Sequence, residues 1–465
     1  MRRRSLLAAL LLALSPAIPA WAVNNSDRLI VHEWGTFTTL QDDEGKELFG
    51  INIDDEPVPG FVHNLEPYIL NTPVLSHDYW LTRQKGTPRF HPLVSMRLET
   101  PVIYFYPPAS AKLPLKLDVS VKFRGGWLTE FYPNAAVRVP GADKKEFDFT
   151  SLTPATVGEL AWRDLQVGTA AAGPETKENV WLAPRRVAAV NVTNNEDESE
   201  KYLFYRGVAR QSSAIKVVTA SQGDTLRITP NLGNILTTGQ RAAIPHVWLM
   251  EARADGTSAY RELGSLEIGS DASQPMITAP RRFADGEFNA ENRGKLEAEM
   301  HQALISDGLY ADEATAMLST WQRAYFTSAG LRLFYVVPRA WTDAVLPLTI
   351  SGEPDITRVM IGRVELISDK QRDTLDKLAK ADGIGPQWLE QLDWDSPARK
   401  KLLEGRSDFG DLGVKIPPHF QLYLDLGRFR NALVVMAEQK RGQGKTSLTR
   451  FIESYELRPY RLNRE

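Results

Sequence analysis

Along residues 29–269 the hydrophobic positions recur at period two. The plainest case sets Leu115, Leu117, Val119, Val121 and Phe123 against Lys116, Asp118, Ser120 and Lys122, a strand with one wet face. Gly125-Gly126 supplies a turn, and residues 127–132 return as a second strand stopped by Pro133. Residues 214–220 and 225–229 flank Gln222-Gly223-Asp224 as a hairpin, and residues 246–252 and 257–263 flank Asp255-Gly256 as another. Residues 97–106, 186–193 and 201–208 complete the predicted strands. After about Asn289 the period becomes helical: Leu296, Met300 and Leu304 share a face closed by Gly308, and Met317, Leu318, Trp321 and Tyr325 mark a second helix. Two strands follow at 331–337 and 358–367, then a helix N-capped by Ser368 with Leu375 and Leu378 as its stripe. Leu422, Leu426, Phe429, Leu433 and Met436 predict one further amphipathic helix, and residues 448–457 a last one.

The pattern implies an α+β fold. A β-rich, sandwich-like portion over residues 23–288 precedes a mixed, mainly helical portion over 289–465, comprising a helical hairpin, two strands and C-terminal helices. The two strands at 331–367 can complete the first sheet, so one intertwined body competes with two domains.

Residues 1–22 change the picture of where the chain works. Arg2, Arg3 and Arg4, an apolar run from Leu6 to Leu14 and Ala20-Trp21-Ala22 have the layout of a secretory signal peptide, with the mature chain starting at Val23. Ser15, Pro16 and Pro19 break the run before the roughly 20 apolar residues that a membrane span needs. The expected location is periplasmic or secreted, with no integral membrane segment after cleavage. Of 55 basic residues, three leave with the leader, so the mature charge is 52 − 58 = −6, which argues against a nucleic-acid partner held by bulk charge. The absence of cysteine excludes disulfides, thiol nucleophiles and thiolate metal sites.

Several segments are familiar together: His32-Glu33-Trp34-Gly35-Thr36-Phe37-Thr38, Asp54-Asp55-Glu56-Pro57-Val58-Pro59, Leu98-Glu99-Thr100-Pro101-Val102, the run from Arg124 to Pro133, Leu203-Phe204-Tyr205-Arg206-Gly207-Val208, Gly330-Leu331-Arg332-Leu333, and Pro338-Arg339-Ala340-Trp341-Thr342-Asp343. The chain resembles a group of exported bacterial proteins, without an assigned activity, that open with the same HEWGTFT heptad. The resemblance covers most of residues 30–365 and implies export, but neither a fold nor a catalytic residue.

Candidate chemistry concentrates early. His32, His63, His77 and His91 fall within sixty residues that also hold Glu33, Asp54, Asp55, Glu56, Glu66 and Asp78, a set of nitrogen and oxygen donors suited to a divalent metal. No pair has HExxH spacing, and His32-Glu33 and His77-Asp78 are neighbours whose side chains face apart on a strand. Separate structural histidines are the competing reading. Asp54-Asp55-Glu56 lacks the EF-hand spacing and reads as a solvated loop. Glu99 and Glu130, each in an apolar strand, are candidate catalytic carboxylates for glycan hydrolysis, with ion pairs to Arg97, Arg124 or Arg206 as the bland alternative. The segment from Gly442 to Ser447 imitates the end of a P-loop but follows a helix and reads as a basic turn. Trp127, Arg339, Trp341 and Asp343 are candidate ligand-binding residues. No GxSxG elbow occurs. The leading expectation is an exported soluble protein that binds an envelope glycan, lipid or protein, and the alternative is a metal-dependent hydrolase acting on a glycan, ester or phosphate.

Overall fold

The computed structural model describes residues 27–53, 56–65, 83–84, 87–88, 91–140, 152–220, 223–232, 242–268, 275–381, 385–393, 396–403, 409–442, 446–455 and 457. The leader, Asp54, Asp55, Glu66, His77 and Asp78 lie outside these residues. Among the described residues no helix is long and apolar enough to cross a membrane.

The fold is α+β, with strand outweighing helix at 37% against 28%. Its frame is one mixed sheet built from β1 (Ile30–Gln41), β2 (Met96–Tyr106), β3 (Leu115–Arg124), β4 (Gly126–Tyr132), β5 (Val157–Thr169), β6 (Asn191–Thr193), β7 (Ser199–Glu200), β8 (Leu203–Ala209), β9 (Ala242–Ala252), β10 (Ser258–Ile268), β11 (Gly330–Val336), β12 (Leu348–Ile350) and β13 (Asp355–Leu366). The order is β7-β6-β5-β4-β8-β2-β1-β13-β11-β9-β10, with β3 bridging β5 and β12 off this path. The heptad strand β1 therefore sits in the middle, antiparallel to β2 and parallel to β13. A cut at residue 289 would divide the sheet between its central strands.

Both faces are buried. Val31, Phe37, Leu98, Ile103, Tyr205, Leu249, Leu333 and Val364 point to one face, covered by β3, by a small sheet of Ile215–Thr219, Thr225–Pro230 and Ile277–Pro280, and by Trp341 and Val345 of a short helix. Trp34, Tyr104, Phe204, Phe334 and Ile361 point to the other, where they meet Leu296 and Met300 of helix α1 (Asn292–Ser306) and Met317 and Trp321 of helix α2 (Ala311–Trp321). Leu40, Val208 and Ile367, on that same face, instead meet the C-terminal helices.

Three predicted elements differ. Residues 186–193 form no single strand: a 3-10 turn at Pro184–Arg186 precedes the three-residue β6. The apolar spacing from Leu422 to Met436 spans two helices, α3 (Pro418–Asp425) and α4 (Arg430–Lys440), because Gly427 between them takes φ +80°, a left-handed conformation that ends the first while the spacing runs on. The second helix of the hairpin ends at Trp321 and continues as a π-turn, Gln322–Thr327.

Candidate functional site

The motif strands share one local peculiarity. Trp34 pairs with Val102 and Thr36 with Glu99, so one extra residue of β2 is accommodated opposite Gly35. A Cβ on Gly35 would lie 2.9 Å from the Cα of Pro101. Only glycine lets the two strands approach there, which accounts for both Gly35 and the Thr100-Pro101 step. Thr100 takes φ +44°, which costs a β-branched residue about 1–2 kcal/mol.

Beyond this bulge the helix-covered face becomes polar on six strands. On β1, Thr36 and Thr38 lie between Trp34 and Leu40; on β13, Arg363 and Glu365 lie between Ile361 and Ile367; on β8, Arg206 lies between Phe204 and Val208. Glu99 and Arg97 on β2, Glu130 and Thr129 on β4, and Arg332 on β11 continue the band. It runs along the seam where the cluster under α1 and α2 gives way to the cluster under the C-terminal helices. Every one of these residues is buried, Arg97 and Arg206 completely.

Burying so many charges requires compensation. Arg97 Nη2 donates to Glu99 Oε2 at 3.0 Å, and Arg428 Nη2, entering from the turn before α4, lies 3.3 Å from the same oxygen. Arg206 Nη1 stands 3.5 Å from Glu130 Oε2 and donates to the Glu56 carbonyl at 2.8 Å. Glu365 accepts from Arg363 Nε at 2.6 Å and pairs with Arg332 Nε at 3.2 Å. Burial raises the Glu365 carboxyl, but the opposing pull of Arg332, Arg363 and Arg428 prevails and holds it below its ordinary value. Burial brings Arg332 down to about 10 against the attraction of Glu365.

The π-turn sets Tyr325 over this band, with the Arg363 guanidinium 4.2 Å from its ring centroid. Arg428 also lies 5.7 Å from the ring centroid, and burial, reinforced by the Glu99 charge, raises the hydroxyl well above the ordinary value, so it stays a donor. Trp321 stacks on Tyr325 at 5.1 Å and meets Trp34 edge to face at 6.4 Å. Around the band Thr36 Oγ1, Thr38 Oγ1, Thr129 Oγ1, Tyr325 OH, Arg363 Nη1 and the indole nitrogens of Trp34 and Trp321 are buried without a hydrogen-bond partner among the described residues. All of them can donate, whereas Glu130 Oε2 is the band's buried acceptor without a hydrogen bond among the described residues.

The histidines separate. His32 Nδ1 lies 2.7 Å from Glu313 Oε2 at the start of α2, with Tyr106 OH donating to the other Glu313 oxygen at 2.8 Å. His63 Nε2 lies 2.7 Å from Glu198 and its ring stacks on Tyr132. The ring of His91 meets Trp127 at 5.7 Å, and its Nδ1 accepts from Leu93 N–H. Among the described residues no three His, Asp or Glu side chains stand together as a metal set. Both candidate carboxylates lie in the band, on β2 and β4 with β8 between them, and both are engaged by arginines.

Of the ligand-binding candidates, Trp127 lies at the end of the band, packed with the C-terminal cluster. The other three lie across the sheet. Trp341 is buried edge to face on Phe37 at 4.9 Å. Arg339 pairs with Asp343 one helical turn on, and Asp343 also accepts from Arg358, which reaches Glu33. They anchor the helix Arg339–Val345 to the opposite face. In the P-loop-like segment residues 443–445 lie outside the described residues, while Thr446 caps the helix Ser447–Ser454. Sequence reasoning singled out Glu99 and Glu130 but missed Thr36, Thr38, Arg332, Arg363, Glu365, Arg428 and Tyr325.

No protein-family model and no curated protein matches the chain. Among solved structures it is similar to the Fcho1 Mu homology domain of Danio rerio with bound Eps15 peptide, at 7% identity and TM-score 0.25 over 74% of this chain and 99% of that one. It is also similar to the yeast delta-COP-I mu-homology domain complexed with a Dsl1 WxWxV peptide, at 8% identity and TM-score 0.21 over 74% and 98%. Likenesses at these scores assign neither fold nor partner.

Proposed function

We propose that this chain is an exported protein that binds a small anionic ligand of the cell envelope in the polar band between its two helical layers. The observation that carries the reading is the excess of buried donors without partners around Thr38 and Arg363. Buried donors in native proteins are almost always satisfied, so a donor-rich interior calls for an acceptor-rich occupant. Register supports the same reading: Thr38 lies directly between Arg97 on β2 and Arg363 on β13, which sets the backbones of two arginines about 10 Å apart across one threonine. A seam between packed layers is a usual place for such a site. The test is titration of the purified chain with acetate, sulfate and inorganic phosphate, followed by calorimetry and thermal shift, beside Thr38→Val and Arg363→Met. Saturable binding of at least one anion that weakens in both variants is expected. Absence of any saturable binding, or binding indifferent to both substitutions, overturns the proposal.

A further inference from the structure

Away from the band, the helical hairpin holds two adjoining cavities. One, of about 380 Å³, lies between its helices, lined by Gly294, Glu297, Ala298 and His301 on α1 and by Thr315 and Ser319 on α2. The other, of about 270 Å³, shares Thr315 and Ser319 and extends to Asp312, Ala316 and, on the neighbouring 3-10 turn, Arg186. The small residues Gly294, Ala298 and Ala316 leave the space open. Because the cavities share two residues, they form one groove along α2 from Ala311 to Gln322, about 16 Å at 1.5 Å per residue.

The two cavities have opposite chemistry. In the first, His301 Nε2 lies 3.1 Å from both the Ala311 carbonyl and Thr315 Oγ1. A carbonyl only accepts, so Nε2 carries the proton, and in the neutral ring Nδ1 is left as an acceptor. Nδ1 has no hydrogen bond among the described residues. One helical turn earlier, Glu297 Oε1 is buried without a hydrogen-bond partner, with Arg293 Nε 3.6 Å away. Burial raises this carboxyl above its ordinary value, opposed in part by Arg293 and Gln322. The walls of the first cavity therefore hold two acceptor atoms that no donor fills. In the second cavity the Arg186 guanidinium has no ion pair or hydrogen bond among the described residues. Asp312 beside it is engaged instead by the N–H groups of Ala188 at 2.8 Å and Glu313 at 3.0 Å. The Ser319 hydroxyl, common to both cavities, is likewise unbonded among the described residues.

An ammonium, a donor that carries positive charge, answers Glu297 and His301, and a carboxylate answers Arg186 and Ser319. Glu297 and Arg186 line different cavities, so a free amino acid, whose two charges stand about 3 Å apart, cannot serve both. An extended tripeptide, about 10 Å long, fits within the groove and reaches from one cavity into the next. We infer that the groove binds a short peptide with both ends unblocked, its ammonium on Glu297 and His301 and its terminal carboxylate on Arg186 and Ser319. The site is separate from the polar band and does not rest on the anion-binding reading.

The experiment is calorimetric titration of the full chain with trialanine, N-acetyl-trialanine, trialanine amide and free alanine. Trialanine is expected to bind saturably, and blocking either end, or shortening to alanine, should weaken binding about tenfold or more. The blocked peptides test both ends of the groove on the parent chain, so this part of the result does not depend on how any variant folds. Glu297→Gln should lower trialanine affinity about tenfold while leaving the already weakened N-acetyl-trialanine unchanged. Arg186→Met should lower it by a similar factor while leaving the amide unchanged. A merely structural role for either residue would not produce this crossed pattern. Absence of saturable trialanine binding, equal affinity for the blocked peptides, or alanine binding as tightly as trialanine overturns the inference. So does a variant whose loss falls equally on blocked and unblocked peptides. Circular dichroism and urea midpoints matching the parent certify that both substitutions report on the groove and not on folding.

Discussion

Glu365 is the point at which the buried band can be tested as an energetic unit. It carries Arg332 at 3.2 Å and Arg363 through two nitrogens, and its side chain is only 9% exposed. Replacing it with leucine leaves two buried guanidiniums without their shared carboxylate, a loss of about 3–5 kcal/mol for a broken buried pair. At a urea slope of about 3 kcal/mol per molar, the unfolding midpoint falls by about 1 to 1.7 M. Because its folded-state carboxyl lies below its ordinary value, Glu365 contributes stability that is present above its unfolded pKa, about 4.3, and is lost as pH falls through the folded value. The gap between parent and Glu365→Leu should accordingly be constant from neutral pH to about pH 5 and narrow below about pH 4.3. The companion variant is the triple replacement Arg332→Met, Arg363→Met, Glu365→Leu. It removes both stranded charges along with their partner, and should be closer to the parent in midpoint than Glu365→Leu alone. Urea titrations followed by tryptophan fluorescence at several pH values measure all three proteins. A single-variant loss below about 1 kcal/mol, the size of a solvent-screened pair, would refute the argument that the band is desolvated. So would a triple variant less stable than the single one.

Two other substitutions probe the frame around the band. Gly35→Ala places a methyl 2.9 Å from the Pro101 backbone and should cost about 1–3 kcal/mol as overpacking, read as a lowered thermal midpoint; an unchanged midpoint would mean that β1 and β2 can part there at no cost. His32→Ala takes from the fully buried Glu313 one of its three partners and should cost about 1–3 kcal/mol, with proteolysis of the α1–α2 hairpin accelerating before the rest of the chain; loss confined to other segments would show that His32 does not tie the hairpin to the sheet.

The period-two pattern was legible because a strand with one wet face, such as β3, alternates visibly in sequence. The strands that build the site do not, since both of their faces are covered: β1, β2, β4 and β8 are buried almost throughout, and alternation in hydropathy disappears. The helix boundary at Gly427 was hidden for a related reason, because two helices packing the same cluster kept one apolar spacing across their break. Histidines drew attention as the rarest chemistry-bearing residues in the chain, yet His32, His63 and His91 went to three separate neighbourhoods.

The site did leave a trace in the sequence, though at a spacing that alternation does not measure. Read at every second residue, β1 runs Trp34, Thr36, Thr38, Leu40; β13 runs Val359, Ile361, Arg363, Glu365, Ile367; and β8 runs Phe204, Arg206, Val208. Each passes from apolar to polar and back along one face of one strand. A surface strand has no reason to return to apolar residues on its wet face, and a core strand has no reason to leave them, so the interruption marks a polar level inside the protein. The quoted motif segments acquire a common meaning through this level. HEWGTFT brings Thr36 and Thr38, LETPV brings Glu99, RGGWLTEFYP brings Thr129 and Glu130, LFYRGV brings Arg206 and GLRL brings Arg332, and the sheet order sets their strands side by side, with only β13 interposed before β11. Segments spread over some three hundred residues of sequence thus meet within one stripe of one sheet face. Apolar residues at these positions would pack without the desolvation that buried arginines incur, even when those arginines are paired. The polar stripe is therefore the costly part of the fold, and it is the part on which the proposed anion site rests.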